Sequence, residues 1–71
     1  MEARTDLRTS QLTRYTYILI DGVVPYWLGE LEGCYFIVYL GRIMDVGEDL
    51  ENAQRLFLGG LNRLLRRRWN R

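Results

Sequence analysis

The residues of this chain best suited to hold something are six arginines in its last seventeen positions: Arg55, Arg63, Arg66, Arg67, Arg68 and Arg71, with no acid among them. A guanidinium stays charged and presents a planar fork of donors, so it pairs bidentately with carboxylate or phosphate. Residues 1–54 carry all nine acids against four arginines, a net −5, and the tail carries +6, within a total of +1. A split this sharp marks a surface that meets an anionic partner or another copy of the chain.

Covalent and metal chemistry find little support. Cys34 is the only cysteine and there is no histidine. The thiol therefore lacks an imidazole to activate it, no disulfide can close within the chain, and one thiolate cannot build a tetrahedral zinc site. A buried, inert Cys34 is expected, with no metal, no cofactor and no catalytic residues. Glu30 and Glu32 alternate across a turn, where a carboxylate pair is solvated. Gly29 and Gly33 read as turn residues, since their spacing does not fit a phosphate loop. The chain reads as a non-enzymatic protein.

Seventy-one residues make one small domain that buries only ~60% of its unfolded surface, so a partner is a natural source of further stability. The opening residues, Met1 to Asp6, are too polar for a signal peptide. The longest apolar run, Cys34 to Leu40, is seven residues, far short of a membrane span. A free cysteine without an export pattern predicts a reducing, cytoplasmic setting.

The elements that must position these residues follow from local pattern. Residues 1–13 read as a polar arm or a short helix, with Leu7 and Leu12 touching the body, and residues 14–71 as a single β-β-β-α domain. Tyr15–Ile20 is rich in aromatic and β-branched residues and predicts a strand. Asp21-Gly22 predicts a tight hairpin turn, and Val23–Leu28 the returning strand. Pro25 lacks an N–H, which places that strand at a sheet edge. Gly29–Gly33 reads as the second turn. Cys34–Leu40 has no polar alternation and predicts a strand covered on both faces.

Asp45-Val46-Gly47-Glu48 has the spacing of a capping box, so a helix is expected from about residue 46 into the high 60s. Leu50, Ala53, Phe57, Leu61 and Leu64 form its apolar stripe, with Leu58, Leu65 and Trp69 beside it. Gly59-Gly60 either breaks this helix or lets another backbone approach. The expected fold is α+β: a three-stranded antiparallel meander followed by one long C-terminal amphipathic helix packed on one face.

Strand alternation sets Ile18, Ile20, Phe36, Val38 and Leu40 toward the helix. It sends Tyr15, Tyr17, Tyr35, Ile37 and Tyr39 to an uncovered face, a candidate protein interface because tyrosine offers area and a polar tip at low entropic cost. Arg55, Arg63, Arg66 and Arg67 fall opposite the apolar stripe as the candidate site for an anionic partner or nucleic acid. The expected function is a small protein-binding module, a homo-oligomer (a dimer in its simplest form) or a subunit or modulator of a host complex, of the kind phages and mobile elements carry. The alternative is a nucleic-acid-binding regulator, antitoxin- or repressor-like, that uses the arginine-rich helix. Trp69 amid arginines resembles a membrane-interface anchor, but the same residue closes the helix stripe, so a membrane partner is not expected.

Overall fold

The structure is a computed structural model that describes residues 7–69, with Arg68 and Trp69 described by their backbone alone. A 3-10 turn, Thr9–Gln11, leads into four strands, β1 (Thr13–Ile20), β2 (Val24–Leu31), β3 (Cys34–Tyr39) and β4 (Arg42–Gly47), and then one helix, α1 (Leu50–Trp69). The strands form one antiparallel sheet in the order β1-β2-β3-β4. The expected antiparallel sheet and C-terminal helix are therefore present, with four strands in place of three.

The fourth strand arises from a turn the sequence disguises. Leu40 and Gly41 both take positive φ, 51° and 74°, and Tyr39 pairs with Arg42 across them. A two-residue turn of this hand suits the twist of a hairpin, but its first position is usually Asn, Asp or Gly. Leucine there hides the signal. Three of the four residues assigned to a capping box, Asp45 to Gly47, are thus spent on β4. Asp45 accepts a hydrogen bond from the Gly47 N–H at 2.9 Å instead of capping a helix. The helix begins later, at Leu50, where the Asp49 carboxylate accepts the Glu51 N–H at 3.2 Å and the Asp49 carbonyl accepts the Ala53 N–H at 2.9 Å.

Two further expectations are corrected by the register. β2 is central, not an edge. Its ladder with β3 starts at Tyr26 opposite Tyr39, so Pro25 lies outside that ladder and its missing N–H costs nothing there. Gly29 belongs to β2, not to a turn. A Cβ on Gly29 would stand 2.7 Å from the Trp27 ring and 3.0 Å from the Leu12 side chain. The glycine lets Trp27 lie flat and lets the N-terminal segment close over it.

Directly opposed residues share a face of the sheet. Ile18, Tyr26 and Tyr39 form one such row, and Leu28, Ile37 and Met44 another. These rows face α1, where Ile20, Tyr26, Leu28 and Ile37 bury against Ala53 and Phe57. The opposite face carries Trp27, Phe36 and Val38, closed by Leu12 with Leu7, Leu31, Cys34 and Ile43 around them. Both faces of the central strands are therefore covered, as the unbroken apolar run of β3 demands.

Candidate functional site

The helix and sheet are pinned together by Tyr26. Its ring stacks on Phe57, with centroids 4.5 Å apart, and meets Tyr39 edge-on at 5.7 Å. Its hydroxyl donates to the Phe57 carbonyl at 2.6 Å. A Cβ on Gly60 would collide with that hydroxyl, whereas one on Gly59 would meet nothing within 4 Å. The helix does not break at the glycine pair. Gly60 makes room for a side chain of the sheet, not for a backbone. Burial pushes the Tyr26 phenol up from its ordinary value of 10.0, and the nearby Arg63 charge pulls partly the other way.

One helix cannot cover four strands. Beside α1, on the β4 side, lies a groove of about 350 Å³. The sheet supplies Tyr39, Met44 and Val46 to it, and the helix supplies Leu56, Gly60, Arg63 and Arg67. Met44 is 49% exposed and Leu56 46%, a wide exposure for apolar side chains that line a common concavity. The walls are apolar and the C-terminal rim is positive, so the arrangement suits an apolar side chain that carries a carboxylate beside it.

The structure does not gather the five expected interface residues on one open face. Ile37 is buried beneath the helix, and Tyr35 and Tyr39 pack against the helix-side core. Tyr17 lies on the far face opposite Trp27, and Tyr15 sits at the register shift of β1 with its ring edge-on to Tyr35 at 6.1 Å. The cause is the pairing register. It sets β1 and β3 one residue out of step with simple alternation from their starts, so Ile18 shares a face with Tyr39 rather than with Phe36 or Val38.

The four arginines are all exposed, but they divide. Arg63 and Arg67 line the groove. Arg55 and Arg66 lie farther round the helix, toward the side opposite Ala53 and Phe57 at 100° per residue. Arg68 and Trp69 lie outside the described side chains, and Arg71 outside the described residues. On the far face, Arg14 stacks over the rings of Tyr17 and Trp27 at 4.5 and 5.6 Å, a cation–π pairing absent from the sequence reading. The groove residues Met44 and Leu56 were missed as well. Leu56 carries the one usable signal: an apolar residue outside the main stripe of the helix.

Among the described residues, no group of His, Cys, Asp and Glu is placed to hold a metal ion, and Cys34 is a half-buried free thiol. No helix among them is long and apolar enough to cross a membrane. Comparison with protein-family models, curated proteins and solved structures returns no match for this chain.

Proposed function

We propose that this chain is a non-enzymatic protein-binding module, a homo-oligomer or a subunit of a protein complex, and that its binding surface is the groove between α1 and β4. The observation that carries this reading is the lining itself: Met44 and Leu56 stand open to solvent above an apolar floor, with Arg63 and Arg67 at the rim. The segment that fits is apolar with an acidic neighbour.

Random peptides displayed for selection against the sparsely immobilised chain, so that no second copy can reach the groove, test this directly. Enriched peptides should pair Asp or Glu with Leu, Phe or Met, and should lose binding to Leu56→Arg and Met44→Arg variants. Enrichment indifferent to both substitutions, or none at all, would overturn the reading. The second reading, a nucleic-acid-binding regulator, rests on Arg55, Arg63, Arg66 and Arg67 lying exposed along one helix. It predicts a steep loss of duplex binding with added salt.

A further inference from the structure

The helix lines the groove with Leu56, Gly60, Arg63 and Arg67, and at spacings of three and four residues the same row continues back beyond the groove to Asn52 and the cap residue Asp49. That recurrence keeps side chains in one lengthwise row. The row is acidic at its start, apolar and small at its centre, and basic at its end. It complements itself only when reversed. Turned end for end about a point between Leu56 and Gly60, it sets Asp49 against Arg67, Asn52 against Arg63 and Leu56 against Gly60. Laid parallel, it would set arginine against arginine.

We propose that the groove is filled by a second copy of this chain, whose α1 lies antiparallel along the first with a two-fold axis passing between Leu56 and Gly60. This deepens the reading of the groove as a protein-binding surface and rests on it. Each Leu56 enters the space beside the partner helix's glycine, each Met44 loses its exposure beneath the helix pair, and the acidic start of one helix meets the Arg63 and Arg67 rim of the other. The interface is isologous, so one patch serves both subunits and the assembly closes at two. Gly59 gains a reason it lacks in the single chain. No atom lies within 4 Å of where its Cβ would stand, and glycine weakens a mid-helix position. A second helix axis at about 8–10 Å makes the missing side chain useful.

Light scattering after size exclusion on the full chain is the test, with four variants. The parent should run at twice its 8.5 kDa chain mass at tens of micromolar. Gly59→Leu should run as a monomer while its circular dichroism and unfolding midpoint show a fold at least as stable as the parent's monomer, a split that a purely structural glycine would not produce. Asn52→Arg alone should also lose the dimer, because it faces Arg63 of the partner. Mixed with Arg63→Glu, it should recover a heterodimer of one chain of each kind, which a parallel pairing cannot give. A parent that is monomeric at these concentrations, a Gly59→Leu variant that dimerises as the parent does, or a mixture that fails to recover the heterodimer overturns the proposal. A monomeric parent whose groove still selects acidic, apolar peptides would sink the self-pairing and leave the groove reading standing. A dimer unaffected by Leu56→Arg would sink the self-pairing, and peptide enrichment indifferent to the same substitution would sink the groove reading.

Discussion

At the scale of single residues, the adjacent glycines of α1 are opposites. Gly60 is fixed by the Tyr26 hydroxyl and its hydrogen bond to the Phe57 carbonyl. Gly60→Ala must displace a buried ring or break that bond, and should cost about 1–3 kcal/mol. Gly59 has open space, so Gly59→Ala should stabilise the unassembled chain by roughly 1 kcal/mol through helix propensity alone. Denaturant midpoints of the two variants at low concentration check this, and a shift of the same sign in both would refute it. Tyr26 makes a second prediction. Its phenol is raised by burial, so the folded state holds its proton more tightly than the unfolded state does. The stabilisation is fully present below pH 10, the unfolded value, and fades as pH climbs from there through the folded value. Absorbance titration should show a late-ionising phenol whose transition coincides with unfolding. The late phenol should vanish in Tyr26→Phe.

At the scale of elements, the β3–β4 hairpin is held by a turn of unfavourable composition. Leu40 sits at φ 51° and is 69% exposed, where a left-handed leucine costs roughly 1–2 kcal/mol. Leu40→Asn should return about 1 kcal/mol, because Asn visits that conformation readily. A variant that melts no higher than the parent would show that Leu40 makes an offsetting contact. The same residue explains what the sequence hid. The Asp21-Gly22 hairpin, the first three strands, the helix type and its stripe through Ala53 and Phe57 were all legible, because each rests on local chemistry. The fourth strand was not, because its turn lacks the usual first residue and its Asp45 mimics a helix cap. The groove was illegible for a deeper reason: it depends on which residues oppose each other across strands, Tyr26 against Tyr39 and Ile37 against Met44, and β4 was itself unforeseen. The stripe itself also needs grading. Phe57 is fully enclosed while Leu61 and Leu64 only flank the core. Phe57→Ala should therefore cost about 3–5 kcal/mol, enough to unfold a domain this small, and either leucine change should cost less.

At the scale of the whole molecule, the fold turns a charge split along the sequence into a charge split along its length. Gly47 of β4 pairs with Tyr35 beside the β2–β3 turn, so α1 starts at the end that carries Glu30, Glu32, Glu48, Asp49 and Glu51. It then runs back toward the end that holds Arg42, Arg63, Arg66 and Arg67, along a particle 38 Å in its longest dimension, with Asp21, among the described residues, the one acid at the basic end and Arg14, opposite Gly29, a base near the acidic end. Most of that separation exceeds the screening length of about 8 Å at physiological salt, so each end acts as its own field. An extended duplex laid on the basic end would pass the acidic end of the same face, whereas a reversed second copy meets opposite charge at both ends. Protein binding should therefore win. Changing Arg63, Arg66 and Arg67 together to Gln should leave the fold intact, because all three are exposed. It should weaken self-association and make little difference to a duplex affinity that is already poor. If phosphate is the partner instead, the parent will bind duplex DNA below micromolar at physiological salt. Its log–log salt slope will then approach −3 to −4 for four arginines at ~0.9 per phosphate, and the triple variant will flatten it. Filter binding across a salt series separates the two, and a steep slope in the parent that collapses in the variant would reverse the order of the two readings.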